Sequence, residues 1–277
     1  MLTDMDTVRR LLKLEYTKFK DHSLIIILFL LYALISCMGI TIGKSINSLP
    51  EGAPRIESIF QFPLVWDFLG WIGSHTSFFF LGLSAVFMVV NEVTYKTFRQ
   101  NIISGLTRKE YFAGKVLAIV FISAMAAMLY GATSCIYGMV HTRSWEFVDM
   151  WDTTYAVSRY FLMTLGYMSL GLLCGFTIRR SGLAILFYLF YGYALEVGIK
   201  WLLVGKVDFI GKEANFLPIN AMEDLHPFPM YRFAEFIPDM NIDFDFLLTY
   251  TEASIATTIW IIIFLGLGYR LFSRGSL

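Results

Sequence analysis

Six long apolar stretches dominate this sequence and limit its fold more than any other feature. A helix needs about 20 mostly apolar residues to cross the hydrocarbon core of a membrane. Each stretch is continuously apolar rather than alternating, which favours membrane-spanning helices over the strands of a β-barrel. We therefore predict an all-α integral membrane protein with one transmembrane domain over residues 1–277. The predicted spans are residues 24–42, 68–90, 116–140, 160–178, 181–204 and 253–269.

Composition excludes several other classes of protein. Hydrophobic residues make up 57% of the chain and charged residues 16%, whereas a soluble domain has about 45–50% and about 25%. A disordered chain would be poor in apolar residues. Lys and Arg together number 22, as do Asp and Glu, so the chain lacks the basic excess of a nucleic-acid-binding protein. We expect no nucleic-acid partner.

The distribution of basic residues predicts the orientation of the spans. In a six-span layout, both ends of the chain, residues 91–115 and the turn at 179–180 fall on one side of the membrane. These segments hold 14 of the 22 basic residues but only six of the 22 acidic ones. Because basic residues mark the cytoplasmic side, we expect both termini in the cytoplasm. The protein would be a multi-pass protein of the plasma membrane, which in a bacterium is the inner membrane.

Residues 1–23 contain an amphipathic segment. Val8, Leu11, Leu12, Tyr16 and Phe19 fall roughly on one helical face, with basic residues around them. Such a helix lies in the membrane interface and attracts anionic lipid, so membrane lipid is an expected partner. The segment is either a working element or a plain anchor for the first span, and the sequence leaves both readings open.

The connection at residues 205–248, before the last span, is too long for a plain turn. It holds eight acidic and three basic residues. Its aromatic side chains predict short helices packed on the membrane surface. The segment is either an outer gate or a solvated acidic cap.

The connection between the second and third spans, residues 91–115, carries the clearest local signals. A helix can continue to about Ile103, after which the Ser-Gly pair at 104–105 breaks it. Thr107 and Glu110 form a capping box that starts the next helix. The prediction is a short cytoplasmic helix, a sharp turn and a new helix start. That arrangement suits the docking of a soluble partner, and an ordinary solvated hairpin would show the same pattern.

Motifs for catalysis are missing from the sequence. The four His are scattered, and neither His-Glu-x-x-His nor Gly-x-Ser-x-Gly occurs. Gly-x-x-x-x-Gly-Lys-Ser/Thr does not occur either, so we expect no ATP to bind through a P-loop of this chain. We assign no catalytic residue, no metal ligand and no cofactor to the chain itself.

Polar groups inside the spans are the remaining clue, because such groups are costly in lipid. Glu196 and Lys200 are four residues apart in the fifth span and are able to pair. They form either an ion relay or a structural pair near the outer interface. His75, Thr76 and Ser77 are expected to open the second span on the outer side, where a substrate would reach them.

Residues 92–115 and the overall layout together resemble a known family. An interfacial N-terminal helix, six spans with cytoplasmic ends, a structured second-to-third connection and a long outer loop are similar to the type-2 permease family of ABC transporters, which has a type V exporter-like fold. Lys96 departs from the family, which often has Gly before the threonine. The residues that carry the resemblance are Glu92, Thr97, Arg99, Ser104, Gly105, Thr107, Arg108, Tyr111 and Lys115.

The resemblance implies a transport subunit rather than an enzyme. The chain would be the permease of an ATP-driven exporter that moves an unidentified substrate of hydrophobic or amphipathic character. Residues 97–108 would form a coupling helix that fits a cleft on a separate ATP-binding subunit, present in two copies, which binds the ATP and Mg²⁺. A second permease copy, identical or a sister chain, would complete the assembly. The residues implied in coupling are Glu92, Thr97, Arg99, Gln100, Asn101, Ser104, Gly105, Thr107, Arg108 and Tyr111.

The resemblance also implies that the second and fifth spans line the translocation path. The polar residues of these spans, His75, Thr76, Ser77 and Glu196, would then face the path. Two alternatives remain open from the residues alone. One is an intramembrane enzyme built around His75 and Glu196, and the other is an ion-coupled transporter that uses Glu196.

Overall fold

The computed structural model describes residues 5–20, 23–44, 59–95, 97–103, 105–142, 155–206, 212–228 and 247–274. Within those ranges the chain is helical and contains no strand. Five helices are long and apolar enough to cross a membrane. The described part of the chain is therefore all-α, as the sequence predicts, and its long apolar helices fit a membrane-embedded protein.

The helices are numbered here in chain order over the described residues. Two of them, α3 and α7, each contain one π-helical turn. A 3-10 turn, Lys212–Phe216, comes before the short helix α8. The helices are α1 (Met5–Lys20), α2 (Ser23–Lys44), α3 (Leu64–Thr94), α4 (Thr97–Ile103), α5 (Arg108–His141), α6 (Tyr155–Thr177), α7 (residues 181–206), α8 (Pro218–Glu223) and α9 (Tyr250–Arg274).

The five span helices are α3, α5, α6, α7 and α9. Helix α2 covers the predicted first span at 24–42. A sixth span is reached only if the stretches Asp6–Lys18 and Ser23–Gly39, whose axes differ by 93°, are counted as one bent unit. The amphipathic helix predicted within residues 1–23 is present as α1, and it runs nearly at a right angle to α2.

Four span helices, α3, α5, α6 and α9, begin before the predicted spans. The predicted starts at residues 68, 116 and 160 each follow a charged residue, which is Asp67, Lys115 or Arg159. In the structure each of these charges lies inside a helix and has partners. The Tyr250 hydroxyl donates to Asp67 at 3.3 Å, and the Arg159 guanidinium lies 3.7 Å from the centre of the Tyr250 ring. A charge that is paired with protein groups can be kept inside a membrane helix.

The expectation that His75, Thr76 and Ser77 open the second span is wrong. Helix α3 begins at Leu64, so these residues lie about three turns inside it. The early start is possible because Asp67, which is 1% exposed, is buried against protein. The three polar residues therefore lie well inside the helix rather than at its start.

Helix α6 lies at the centre of the bundle and packs against α3, α5 and α9. Its sequence motif Gly171-x-x-x-Gly175 predicts a close helix contact. A Cβ on Gly171 would overlap the carbonyl oxygen of Gly82, and one on Gly175 would come within 2.9 Å of the Val89 Cβ. The motif therefore joins α6 to α3 within one chain.

The π-helical turns of α3 and α7, Ser77–Gly82 and Tyr191–Leu195, interlock. The Tyr188 hydroxyl donates to the carbonyl oxygen of Phe78 at 2.9 Å. The rings of the two residues stack with centroids 4.8 Å apart, and Phe78 fills the space beside Gly192. Turns of this kind occur often at functional positions. Here the two turns join α3 to α7, the helices that correspond to the second and fifth predicted spans.

Buried tyrosine hydroxyls hold the centre of the bundle. The Tyr160 hydroxyl of α6 lies 2.8 Å from that of Tyr32 on α2 and 3.1 Å from that of Ser77 on α3. Its ring stacks on Tyr130 of α5 with centroids 4.2 Å apart. Because a buried hydroxyl without a partner is costly, this network fixes four helices in one register.

The contact between the π-helical turns predicts the effect of two glycine substitutions on the same helix. We expect Gly192→Ala to destabilise the protein by about 1–3 kcal/mol, because its Cβ would overlap the Phe78 ring. Gly198→Ala is the control, because no atom lies within 4 Å of the Cβ it adds. We expect that control to be neutral or stabilising by up to about 1 kcal/mol. Denaturant unfolding in detergent micelles measures both, and equal behaviour of the two variants would refute the packing assignment.

Candidate functional site

Four charged side chains form a largely buried cluster where α1, α3 and α5 meet, at the end of the bundle that the sequence predicts to face the cytoplasm and that is called the inner end here. Lys115 of α5 donates to Glu15 of α1 at 2.7 Å and to Glu92 of α3 at 2.5 Å. Lys18 of α1 donates to the same two carboxylates at 2.9 and 3.1 Å. Lys115 is 1% exposed, Glu15 4% and Glu92 6%. Two ammonium groups therefore face two carboxylates, and the cluster is neutral as a whole.

Helical spacing brings these charges to one place. Glu15 follows the buried Leu11 by four residues, so both lie on the face of α1 that packs on α5. Tyr111 lies one turn before Lys115 on α5, and its ring centre is 5.4 Å from the ammonium groups of both Lys115 and Lys18. The ring covers the cluster on one side and interacts favourably with both cations.

Glu92 also connects the cluster to the short helix α4. Asn101 donates its side-chain amide to the Glu92 carboxylate at 3.3 Å. Thr97 donates its hydroxyl to the Glu92 carbonyl oxygen at 3.3 Å. Both ends of α4 are thereby held against the end of α3. A displacement of α4 would have to break these bonds or be passed on to α3.

The turn between α4 and α5 has the predicted form. Gly105 has a φ of +100°, a left-handed conformation that favours glycine. Thr107 and Glu110 form the capping box at the start of α5, with each side chain bonded to the other residue's backbone N–H. Arg10 of α1 pairs with Glu110. The turn is therefore fixed locally and also tied to α1.

Arg108 ties the same turn to the last helix. Its guanidinium donates to the carbonyl oxygen of Ser273 at 2.8 Å, near the end of α9. The rings of Tyr111 and Phe272 stack close by, with centroids 5.4 Å apart. A cation at the C-terminus of a helix is favourable because carbonyl groups there lack helical partners.

The structure brings together only some of the residues implied in coupling. Glu92, Thr97, Asn101 and Tyr111 meet at the cluster, and Gly105, Thr107 and Arg108 form the turn. Gln100 is exposed. Nothing is described of the Arg99 side chain, and Ser104 and Lys96 lie outside the described residues.

The coupling residues predicted from the sequence do not include Glu15, Lys18 or Lys115, although Lys115 is at the centre of the cluster. Lys115 gave one signal, because a lysine eight positions into an apolar helix needs a partner. Glu15 gave another, since it shares a helical face with Leu11. Neither signal identifies the partner, which lies 100 residues away in the sequence.

Two apolar side chains stand out at the inner end beside the cluster. Ile103, the last residue of α4, is 84% exposed, and Tyr95, just before α4, is 69% exposed. Both flank the helix that the cluster holds in place. They give this end an apolar surface on a fixed support.

The residues predicted to line the path do not meet at one site. His75 is exposed, and the centroid of its ring lies 5.1 Å from the centroid of the Trp71 ring. Thr76 donates to the carbonyl oxygen of Ile72 on its own helix, and Ser77 binds Tyr160. No contact recorded for the described residues joins any of them to Glu196.

Glu196 and Lys200 do not form an ion pair, and that prediction is wrong. The Glu196 carboxylate accepts from the backbone N–H and the side-chain amide of Asn220, both at 2.9 Å. Lys200 donates to the Asn220 side-chain oxygen at 2.8 Å. Asn220 satisfies both groups at once, because an amide has a donor end and an acceptor end. The two residues hold α8 against α7.

The segment at 212–228 contains the short helix α8 and packs against α6 and α9. Met222 and Leu225 are fully buried, and Met222 fills the space beside Gly166 of α6. Thr257 of α9 donates to the carbonyl oxygen of Ala221 at 3.3 Å. Two further parts of the predicted segment, 207–211 and 229–246, lie outside the described residues.

Three titratable groups of this segment have shifted pKa values. Burial, with Glu196 and Asp224 nearby, raises the pKa of Glu223 to about 7, against the opposing effect of Lys200. Burial raises the pKa of Asp224 to about 6, although bonds from Leu248 and Asn215 favour its ionised form. Burial, followed by the nearby Arg159 charge, holds the pKa of His226 well below its usual value.

No protein-family model matches this chain, and no curated protein is significantly similar to it. No group of three or more His, Cys, Asp or Glu residues in the described part of the chain could hold a metal ion. The function is therefore argued from the geometry of the cluster, the turn and the outer segment.

The cluster predicts a large cost for removing its central charge. We expect Lys115→Met to destabilise the protein by about 3–5 kcal/mol, since two buried carboxylates would share one partner. Lys109→Met removes an exposed lysine of the same helix and should change little. Adding Glu15→Gln and Glu92→Gln should recover most of the loss. Unfolding midpoints in detergent test the series, and equal midpoints for Lys115→Met and Lys109→Met would show that the cluster is not buried.

The raised pKa of Glu223 predicts a dependence of the outer segment on pH. A carboxylate whose folded pKa lies above its unfolded value stabilises the folded state below that unfolded value, near 4.5. That stabilisation is lost as the pH rises through about 7. Glu223→Gln should therefore slow hydrogen exchange of residues 212–228 at pH 8, by on the order of 1–3 kcal/mol in opening free energy, and have little effect at pH 5.

The comparison of variant with wild type at each pH removes the intrinsic pH dependence of exchange and the contribution of His226. Glu213→Gln is the control, because Glu213 is an exposed carboxylate in the same segment. An equal effect of Glu223→Gln at both pH values would mean that Glu223 does not titrate in this range.

Proposed function

We propose that this chain is the membrane-spanning permease subunit of an ATP-driven ABC exporter. In this proposal the chain crosses the membrane six times, with both termini in the cytoplasm. Two separate subunits bind ATP and Mg²⁺ and hydrolyse the ATP. A second permease copy completes the transporter, and the substrate moves without forming a bond to the protein.

The observation that carries the proposal is the braced inner elbow, defined as residues 95–110. Its helix α4 is held by Glu92 through Asn101 and Thr97, and its turn is tied to α1 and α9 through Glu110 and Arg108. An ordinary loop needs none of these ties. A segment that receives a push from another subunit needs them, because a loose loop would absorb the displacement.

The contacts of the elbow supply a route by which its displacement reaches the spans. Glu92 passes it to α3 directly and to α5 through Lys115. Arg108 passes it to α9. Helices α3 and α6 are in close glycine contact, so they would move together. The π-helical turns in α3 and α7 are positions where these helices can change register.

Exposed apolar residues support contacts with other subunits. Ile103 suits an apolar cleft on an ATP-binding subunit. On α7, the large side chains Leu186, Phe190, Val197 and Trp201 are all exposed. That face suits lipid or a second permease copy. In this proposal the segment at 212–228 forms the outer gate, and its packing against α6 and α9 supports that role.

The contacts do not favour an enzyme or an ion-coupled transporter. Glu196 is bonded to Asn220 and His75 lies against Trp71. No recorded contact combines the two into a catalytic pair. Glu196 is better explained as the group that holds α8.

The test is isolation of the native assembly in mild detergent from cells that carry wild type or a variant. We expect a nucleotide-hydrolysing subunit to co-purify with wild type, and Ile103→Glu to reduce its recovery about tenfold or more, since a charge would enter an apolar cleft. Tyr155→Glu is the matched control, because Tyr155 is 71% exposed at the opposite end of the bundle. It should leave recovery unchanged.

Arg108→Glu is a poorer probe of docking, because it would also break the bond to Ser273. Unchanged recovery with Ile103→Glu would remove Ile103 from the interface. Absence of any nucleotide-hydrolysing subunit from the wild-type assembly would overturn the proposed function itself.

A further inference from the structure

We propose that an anionic phospholipid of the inner leaflet binds in the groove between α1, α2 and α5. The inference does not depend on the exporter function, because it rests on the shape and charge of this groove alone. The juxtaposition that carries it is a deep apolar groove with basic side chains of an interfacial helix along its rim.

The groove has a volume of about 1030 Å³, at the upper end of the range for small-molecule sites, which is roughly 300–1,000 Å³. Its walls come from α2 and α5, and its remaining side comes from α1. The wall residues are apolar throughout. They are Ile25, Ile26, Phe29, Leu30, Ala118, Phe121, Ile122 and Met125.

The walls belong to the hydrocarbon side of the protein. Ile26 is 40% exposed, Leu30 61% and Phe121 53%, although all three are large apolar side chains. Surfaces of this kind are stable only against lipid tails or another apolar partner. The deep part of the groove therefore suits acyl chains.

The rim of the groove is basic. Arg9 and Lys13, both exposed, lie one turn apart on α1 and both line the groove. Helix α1 carries five basic residues against two acidic ones. One of those acids, Glu15, reaches the groove but is already paired with Lys115 and Lys18. Asp6 is the other, and it lies at the end of the rim beyond Arg9.

The angle of 93° between α1 and α2 explains why these two surfaces match one molecule. If α2 crosses the membrane, α1 lies close to the membrane plane, at the level of the lipid headgroups. Phosphate groups would then meet Arg9 and Lys13 while acyl chains run along α2 and α5. A peptide would instead need partners for its backbone along the whole groove, and the polar side chains that line the groove all lie on α1.

A lipid in this place would also affect the buried charge cluster. Glu15 lines the groove on one side and belongs to the cluster on the other. An occupied groove holds α1 against α5, so it keeps Glu15 in contact with Lys115. An anionic lipid would therefore act as a structural part of the elbow.

The test is native mass spectrometry of the full chain after reconstitution with phosphatidylglycerol or with phosphatidylcholine. We expect one phosphatidylglycerol to remain bound per chain, and phosphatidylcholine to be lost under the same activation. The double change Arg9→Gln and Lys13→Gln should weaken phosphatidylglycerol retention by roughly tenfold or more, since each basic group near the surface contributes to binding. Lys20→Gln is the matched control, because Lys20 is exposed on the same helix and does not line the groove.

A second pair of variants tests the acyl-chain site independently of charge. Ile26→Trp would fill the groove and should abolish retention, whereas Ile27→Trp, on an exposed residue of α2 outside the groove, should leave it intact. Equal retention of both lipids overturns the inference. Equal phosphatidylglycerol retention by Ile26→Trp and Ile27→Trp would also overturn it. So would the finding that a second copy of this chain covers the groove.

Discussion

The buried contact of Lys115 with Glu15 and Glu92 is the interaction on which the inner half of the structure depends. Each charge alone would be costly at this depth, and together they form a neutral group. Their geometry brings the second half of α1, the end of α3 and the first turns of α5 together. Because Asn101 also binds Glu92, the short helix α4 is added to the same unit. Three successive helices, α3, α4 and α5, thus share one polar core with α1, which is distant from them in the sequence.

The sequence predicts the helices well and their inner ends less well. The capping box at Thr107, the positive φ at Gly105 and the amphipathic helix α1 all follow from local patterns. The starts of the spans do not, because the prediction excluded charged residues from the bilayer. Lys115 lies inside its helix only because Glu15 and Glu92 reach it, and pairing at that distance leaves no local signal.

The opposite half is held in a different way: an inserted segment packs there through the Asn220 amide, and its ion pair, Lys212 with Glu252, is partly exposed rather than buried. Spacing alone suggests a bond between Glu196 and Lys200, but Asn220 offers each of them a neutral partner. The segment that supplies Asn220 also carries Glu223, whose pKa is raised to about 7 by burial. Composition predicts an acidic outer connection. It cannot predict that part of the connection enters the bundle, because that depends on the space beside Gly166.

The most direct test of the account is the distance between α1 and α4 with and without Lys115. Spin labels at Tyr16→Cys and Gln100→Cys, both exposed positions, would be placed in a background in which Cys37, Cys135 and Cys174 are changed to Ala. Double electron–electron resonance should give one narrow distance distribution in the presence of Lys115. Lys115→Met should broaden it, because α1 loses its attachment. A broad distribution with Lys115 present, or one that Lys115→Met leaves unchanged, would contradict the claim that this cluster holds the elbow together.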